Sequence, residues 1–298
     1  MTLSHLYSLI IRFGCESDPR KKENIKSFSD TAILYGSPNT PVQKVLIGID
    51  IDTAELLLAD KLRSRQGLDL VISHHPAGRA YARLHEVMQL QVDLLKKAGM
   101  SKDVSREFLE ERMLEVERKI MPGNHMRAPD AARLLDMPFM CVHTPADNHA
   151  SIFIQGLLAK KRPGTVRDII DILMELPEYQ EAKDKLSKGP QVVLGNPKRP
   201  AGKIHVEMTG GTEGPKDIYD KLYKKGVRTL VSMHLGEEHF KKAKDADLNV
   251  VIAGHISSDT LGLNLLLDNI ERRAEETFQI TGCSGFRRIR RDARPHTR

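Results

Sequence analysis

The chain has 298 residues, enough for two ordinary domains or one large one. Hydrophobic residues make up 40% of it, aromatic residues 5%, and tryptophan is absent, so we expect a globular protein with an aliphatic core. The net charge is +6, but the segment 287–298 carries six arginines and one aspartate, which leaves about +1 for the rest of the chain. The net charge therefore does not imply a basic face spread over the fold.

The basic tail, residues 287–298, has two interpretations. Ile289 is its only strongly apolar residue, so it cannot bury enough surface to offset its ordering entropy, and we expect a mobile, solvated segment. The alternative is a contact with nucleic acid, which the charge density permits. We favour the solvated tail and predict no nucleic-acid partner except through this segment.

The cysteine and hydropathy patterns bear on localisation. Cys15, Cys141 and Cys283 are odd in number and far apart, a pattern typical of reduced thiols in a cytoplasmic protein. No apolar run approaches the ~18 residues of a membrane helix, so no membrane partner is expected. The segment 1–14 lacks the basic start and small-residue cleavage site of a signal peptide, and it predicts an ordinary first helix.

Strand-like and helix-like segments alternate along the first half of the chain. The β-branched run 44–52 leads into an amphipathic helical pattern, and the run 68–73 predicts a second buried strand. Residues 80–121 have apolar residues at helical spacing over most of their length. The segments 137–143 and 150–158 are predicted as two further strands.

The second half repeats this alternation. A short helix is predicted at 165–176, followed by a lysine-rich connection and strands at 190–195 and 203–208. A helix ending at Gly226, two more strands (227–233 and 248–253) and a last helix at 260–276 complete the pattern. We place the start of that last helix at Ser257 or Ser258, either of which can act as its N-cap.

The alternation predicts an α/β protein built from two similar halves, each a sheet flanked by helices, with a metal cleft between them. The boundary is predicted near residue 150. Residues 1–150 then form the first half, with a helical insertion at 80–121. Residues 151–298 form the second half, which ends in the basic tail.

Four of the predicted strands end in histidine: His74 with His75, His143, His234 and His255. Ligand sites in open α/β sheets gather at the carboxyl ends of the strands. Each histidine alone is equally well explained as a polar cap on the strand. The pair His74 and His75, followed by proline, adds weight to the interpretation as a metal site.

Carboxylates lie four residues after two of these histidines, Asp147 after His143 and Asp259 after His255. Neutral imidazole and carboxylate together suit Zn²⁺, Fe²⁺, Mn²⁺, Ni²⁺ or Co²⁺. Two ions about 3.5–4 Å apart can activate water against a phosphoryl or amide-like centre. The repeated H-x-x-x-D spacing, together with the paired histidines, therefore predicts a metal site.

Two other segments keep two interpretations each. The segment 208–214, MTGGTEG, can hold a phosphate on backbone N–H groups or form a plain turn, which we favour because the lysine of a Walker loop is missing. The segment 233–239, MHLGEEH, offers His234 and Glu237 as groups that support the metal site or contact a substrate. A solvated helix start explains it equally well.

Several segments together resemble one known family. The segment 68–76, LDLVISHHP, resembles the strand and His-His-Pro motif of the Nif-three-like family, and 27–52 resembles its N-terminal stretch. The segments 139–148, FMCVHTPADN, and 251–259, VIAGHISSD, match two further motifs of the family in the expected order, and 206–214 is similar to its glycine-rich segment. The resemblance covers about residues 30–270.

The resemblance implies a dinuclear centre with two divalent ions per subunit, held by His74, His75, Asp147, His255 and Asp259. His143, His234 and Glu237 are further candidates, as additional ligands or as groups that support them. Asp259 departs from the glutamate of the family and is one methylene shorter. The sequence HTPADN departs from the family pattern as well, so the chain looks like a divergent branch.

The resemblance also implies a ring-shaped homohexamer and, by the name often attached to the family, activity like that of a type-2 GTP cyclohydrolase. The leading hypothesis is a metal-dependent hydrolase that acts on a nucleotide-like, phosphate-bearing or heterocyclic small molecule. No catalytic residue distinct from the ligands can be named. The competing hypothesis is a protein that binds or carries metal, or serves as an interaction scaffold, without catalysis.

Overall fold

The structure is a computed structural model that describes residues 1–20 and 24–291. Strands and helices alternate along most of the chain. In chain order they are α1 (Leu3–Glu16), β1 (Ala32–Tyr35), β2 (Lys44–Gly48), α2 (Thr53–Gln66), β3 (Leu70–Ser73), α3 (Gly78–Ala82), α4 (Leu84–Val87), α5 (Gln91–Ala98), α6 (Lys102–Ile120), α7 (Arg127–Leu134), β4 (Phe139–Cys141), α8 (Thr144–Lys161), α9 (Val166–Leu173), α10 (Pro177–Leu186), β5 (Gln191–Leu194), β6 (Lys203–Glu207), α11 (Tyr219–Lys224), β7 (Val227–Ser232), α12 (Glu237–Asp245), β8 (Asn249–Ile252), α13 (His255–Ala274) and β9 (Gln279–Cys283).

The chain forms two compact units. Unit 1 comprises residues 1–84, 120–149 and 259–298, and unit 2 comprises 85–119 and 150–258. One of the crossings between the units falls between residues 149 and 150. Most of the helical stretch 80–121 belongs to unit 2, and residues 259–291 belong to unit 1.

Unit 1 contains a five-stranded sheet in the order β1-β4-β3-β2-β9. The strands β4, β3, β2 and β9 are parallel, and β1 pairs antiparallel with β4 at one edge. Leu46, Val71 and Phe139 are fully buried and pack with α2 and α7 in one apolar cluster. Burial of such apolar side chains supplies most of the stabilisation of a mixed sheet covered by helices.

Unit 2 contains a four-stranded sheet in the order β5-β8-β7-β6, with β5 antiparallel to β8 and the other pairs parallel. Leu230 and Val250 are buried against α5, α11 and α12. The first four strands of unit 1 have the same order and the same antiparallel edge, so β1–β4 correspond to β5–β8. The prediction of an α/β fold with two similar halves is confirmed, and β9 is an addition to the first.

Three segments differ from the sequence predictions. Residues 150–158 lie in α8 instead of a strand, because Asp147, Ala150, Ser151, Ile154 and Leu158 are buried at helical spacing. Helix α13 begins at His255, so Ser257 and Ser258 lie inside it and their hydroxyls donate to the carbonyl of Gly254. The strands β1 and β9 are not among the predicted elements.

The prediction of a mobile tail is wrong for residues 287–291. The side chain of Arg288 is 5% exposed and its Nη2 lies 2.6 Å from Asp268 and 2.8 Å from Glu271, both on α13. The backbone N–H of Ile289 donates to the Asn264 side chain. Buried ion pairs hold this segment in place. The sequence prediction considered only apolar anchors and therefore overlooked them. The rest of the tail, 292–298, lies outside the described residues.

Among the described residues, none of the helices has the length and apolarity needed to cross a membrane.

Candidate metal centre

The site begins at the carboxyl ends of two neighbouring strands of unit 1. The strands β3 and β4 are parallel, with Ser73 opposite Cys141, so the residues that follow them emerge side by side. His74 and His75 follow β3, and His143 follows β4 after one intervening residue. The imidazole centroids of His74 and His143 lie 4.9 Å apart, and those of His74 and His75 lie 5.3 Å apart.

His74 is fully buried and has a fixed orientation. Its Nδ1 lies 3.0 Å from the carbonyl oxygen of Val142, a hydrogen bond that requires a proton on Nδ1. In the neutral ring Nε2 then carries the lone pair. This Nε2 lies 3.3 Å from Asp147 Oδ1 and 3.5 Å from Asp259 Oδ1.

His143 and His75 are held in the same way by carboxylates. His143 Nδ1 lies 2.8 Å from Asp30 Oδ2, an oxygen that also accepts a 2.6 Å hydrogen bond from the Thr144 hydroxyl. His75 Nδ1 lies 2.6 Å from Asp50 Oδ1, and its Nε2 is 3.4 Å from Asp259 Oδ2. All three imidazoles thus have Nδ1 bound to an oxygen acceptor and Nε2 directed toward the buried carboxylates.

Two helix starts supply those carboxylates. Asp147 lies in the first turn of α8, where its N–H donates to the carbonyl of His143. Asp259 lies on α13, one turn after His255, the first residue of that helix. Gly254 precedes His255 with φ +113°, and a Cβ there would approach the Ser257 hydroxyl to 2.6 Å, so the turn into α13 requires glycine.

The donor set fits a divalent ion. The ligand atoms of His74, His75 and His143 lie within 4.8 Å of one another, as do those of His74, Asp147 and Asp259. Within residues 1–20 and 24–291, the buried atoms His74 Nε2 and Asp147 Oδ1 make no hydrogen bond. Buried polar atoms of this kind are normally satisfied, and ordered imidazole and carboxylate ligands suit the transition metals.

The electrostatics of the site also favour a bound cation. Burial alone lowers the pKa of His74, but the Asp259 and Asp147 carboxylates outweigh it and raise the pKa to about 10. His143 shows the same balance, since burial is outweighed by Asp147 and Asp30 and its pKa is raised. The two carboxylates thus stabilise positive charge beside the imidazoles, whether it is a proton or a metal ion.

Unit 2 holds a counterpart of the His-His pair. The Ser73 hydroxyl donates to the carbonyl of His75, and the Ser232 hydroxyl donates in the same way to His234, which follows the corresponding strand β7. His75 therefore corresponds to His234, and His74 corresponds to Met233. Because methionine replaces the buried histidine, unit 2 does not repeat the ligand set of unit 1.

His234 is bound by a carboxylate that the sequence interpretation did not select. Its Nδ1 lies 3.1 Å from Glu213, whereas Glu237 is an exposed residue at the start of α12. Glu213 also accepts a hydrogen bond from Gly236 N–H and lies 3.6 Å from His239. Despite the opposing effect of burial, His234, His239 and Gly236 N–H lower the Glu213 pKa to about 2. The His234 ring also packs on His255, with centroids 4.7 Å apart.

The glycine-rich segment 208–214 is a turn packed against protein. The amide of Gln91 donates to the carbonyls of Gly210 (2.9 Å) and Thr212 (2.7 Å). A Cβ on Gly210 would lie 2.6 Å from Gln91, so the glycine is needed for this packing and for its φ of +103°. The plain-turn interpretation accounts for the segment.

Asp30 and Asp50 are the residues of the centre that the sequence interpretation missed. Asp50 follows β2, so the carboxyl-end rule that selected the histidines includes it as well. Asp30 precedes β1, and its position beside His143 follows only from the antiparallel pairing of β1 with β4.

Of three comparisons with known proteins, the one with solved structures finds matches, and these agree with this architecture. Neither a scan against protein-family models nor a search of the curated proteins finds a match. Among solved structures, the NIF3 superfamily protein from Sphaerobacter thermophilus is 30% identical, with a TM-score of 0.77, and the match covers 93% of this chain and 97% of that one.

Two more distant structures share the fold. Reduced HcgD from Methanocaldococcus jannaschii is 17% identical, with a TM-score of 0.52 over 95% of this chain and 97% of that one. Staphylococcus aureus protein SA1388 is 12% identical, with a TM-score of 0.53 over 98% of each chain.

Fold and site together define an α/β protein of two similar units, with buried histidine and aspartate groups that could bind metal. The 30% identity over nearly the whole length of both chains identifies the family. The chain belongs to the NIF3 superfamily.

Proposed function

We propose that this protein binds two divalent metal ions and uses them to hydrolyse a small molecule that carries a phosphate group or a heterocycle. The observation that carries the proposal is the fixed orientation of the three imidazoles, whose Nδ1 atoms are bound to Val142, Asp50 and Asp30. This arrangement directs three Nε2 lone pairs toward two carboxylates. Holding ligating histidines through the second ring nitrogen is typical of metal sites.

The residues fall into ligands and supports. His74, His75, His143, Asp147 and Asp259 would hold the ions in unit 1. His255 is a further ligand, because it begins the helix that carries Asp259. Asp30 and Asp50 support His143 and His75, keeping the correct ring nitrogen protonated. In such a centre, a pair of divalent ions supplies Lewis acidity and lowers the pKa of water to about 7.

Exposure differs among the ligands in a way that bears on access. The side chain of His75 is 26% exposed, whereas those of His74 and Asp259 are 0% and 1% exposed. A substrate would thus approach from the side of His75, and the buried groups would hold the ions from behind.

The burial of most ligands also favours a second candidate, a protein that binds or carries metal without catalysis. Closed sites are typical of structural ions, whereas catalytic ions keep an open position. Turnover separates the two candidates, since a carrier would take up and release metal without hydrolysing anything.

The first prediction tests the ligand set by elemental analysis. Protein purified without chelator should carry about two ions per chain, the number needed for a two-metal hydrolytic centre. Asp147→Asn keeps the size of the side chain but removes its charge, and we expect it to lose at least one ion. His149→Gln is the matched control, because His149 is a buried histidine of the same helix whose Nδ1 binds the Pro145 carbonyl.

Equal metal content in the parent and Asp147→Asn would contradict the proposal, as would a parent that takes up no Zn²⁺, Mn²⁺ or Fe²⁺. The loaded protein is then screened against phosphate esters, nucleotides and cyclic amides. Hydrolysis that Asp147→Asn abolishes and His149→Gln retains supports the enzyme, and loading without any turnover supports the carrier. Sedimentation of the same samples tests the homohexamer, which we propose from family membership.

A further inference from the structure

A large cavity in unit 2 is lined by residues distinct from the metal ligands. Its volume is about 720 Å³, within the range of small-molecule sites. All its lining residues belong to unit 2 and come from α5, from α8 and the turn after it, from β6 and its approach, and from the start of β7. The strand β6 is an edge strand of its sheet, so the cavity lies at one edge of the sheet of unit 2.

Positive charge converges on this cavity. Lys97, Arg162 and Lys203 line it, and no aspartate or glutamate is among the described residues that do so. Across residues 1–20 and 24–291, neither Lys97 nor Arg162 makes an ion pair. The ammonium of Lys203 donates to the carbonyls of Ala98 (2.6 Å) and Lys225 (3.4 Å), so its charge is held in place by neutral oxygens.

Helix ends explain part of this charge but not its convergence. Lys97 lies in the last turn of α5, and Arg162 follows α8, places where the helix dipole alone favours a cation. Three cations from three elements line one concave surface, and the described residues of that surface include no carboxylate to balance them.

The remaining lining is aliphatic. Leu94, Ile152, Leu158, Ile204 and Val206 supply apolar surface, and Ile152 is 41% exposed. His205 is the only ring-bearing side chain among the described lining residues besides Pro163, so the cavity has no phenyl, phenol or indole on which a nucleobase could stack. The walls therefore suit a saturated chain better than a nucleotide.

We propose that this cavity binds an organic anion with an aliphatic body, of the class of a medium-chain carboxylate. The aliphatic chain packs against α5, α8 and β6, and the anionic head is bound by Lys97, Arg162 and Lys203. This site is independent of the metal centre. It adds a second ligand to the protein, whatever the metal centre does.

Gly156 allows a direct test. It lies within α8 on the wall of the cavity, and a Cβ built there meets no atom within 4 Å. Gly156→Leu should fill part of the cavity without disturbing the helix, because glycine is a weak helix former that leucine improves on. Its melting temperature is therefore expected to equal or exceed that of the parent.

The experiment measures decanoate binding to the full chain by calorimetry, with decyltrimethylammonium as a probe of the same chain length and opposite charge. Decanoate should bind saturably and the cation should not. We expect Gly156→Leu to abolish binding and Arg162→Asn to weaken it about three- to tenfold. Asparagine suits position 162 because Arg162 has a φ of +51°. Lys188→Gln, an exposed lysine of unit 2 outside the lining, is the matched control.

Three outcomes would overturn the proposal: no saturable decanoate binding, equal binding of the cationic probe, or unchanged binding in Gly156→Leu. If the parent binds no decanoate, a change of oligomeric mass in Gly156→Leu would show what the cavity does instead. The cavity would then be a contact surface between copies of the chain. Retained metal content in Gly156→Leu is the expected sign that the two sites are separate.

Discussion

The imidazoles of the candidate metal centre depend on acceptors that are not themselves candidate ligands. Asp30 is fully buried and accepts hydrogen bonds from His143 Nδ1 and from the Thr144 hydroxyl. Its charge makes His143 a more basic ligand and keeps the proton on Nδ1. The residue therefore contributes to metal affinity through the ring that it orients.

Replacement of Asp30 tests this dependence. We predict that Asp30→Asn weakens metal binding about 10- to 100-fold, the usual cost of losing a partner of a ligating histidine. The measurement is a competition titration with a chromophoric chelator. Asp18→Asn serves as control, since Asp18 is an equally buried carboxylate that pairs with Arg20. Unchanged affinity in Asp30→Asn, with the fold intact by circular dichroism, would show that the charge of Asp30 is irrelevant.

At the scale of elements, helix α13 binds the start of the tail through charge. Glu271 accepts hydrogen bonds from Arg288, from Arg290 and from the backbone N–H of Phe278. Burial raises the pKa of Glu271, but the two arginines outweigh it and hold the pKa below its ordinary value of 4.5. A carboxylate with a lowered pKa stabilises the fold above its ordinary pKa, and the stabilisation is lost as the pH falls through the lowered value.

Glu271→Gln should therefore destabilise the protein by about 1–3 kcal/mol at neutral pH, since it removes a charged partner from the nearly buried Arg288. The difference in free energy of unfolding between parent and variant should shrink below pH 4.5. Denaturant melts at several pH values measure it. Glu175→Gln, which breaks the exposed pair with Lys161, should cost less than about 1 kcal/mol. A difference for Glu271→Gln that is constant with pH would contradict the argument.

The sequence predicted the parallel strands other than β9, and the histidines that follow four of them, because buried β-branched runs and the carboxyl-end rule are local signals. It failed for residues 150–158, where Ile152 and Ile154 alternate as in a strand although the burial of Ile154 and Leu158 follows helical spacing. Asp30 could not be found either, because its role depends on the pairing of β1 with β4, a contact that no local pattern encodes. Arg288 was misjudged because its partners lie about 20 residues away.

At the scale of the whole molecule, the two units are made of different numbers of chain segments. Unit 2 consists of two segments, the later of which ends at residue 258. Unit 1 consists of three segments, the last of which begins at residue 259. Its sheet ends in β9, which pairs with β2 in parallel from Lys44 to Gly48. Asp259 lies on the same late segment, so unit 1 lacks one of its candidate ligands until that segment is present.

The position of β9 late in the chain determines which unit can fold first during synthesis, because a ribosome makes the chain from its amino end. Unit 2 can fold while the ribosome is still working, but β2 remains an open edge until β9 emerges, and open edges invite aggregation. We predict that a chain ending at Ala274 is far less soluble than one ending at Arg291, with residues 150–258 still protected from protease. Equal solubility and equal melting of the two chains would refute it. A strand synthesised after the rest of its own sheet would thus be the one that protects the nascent protein from its neighbours.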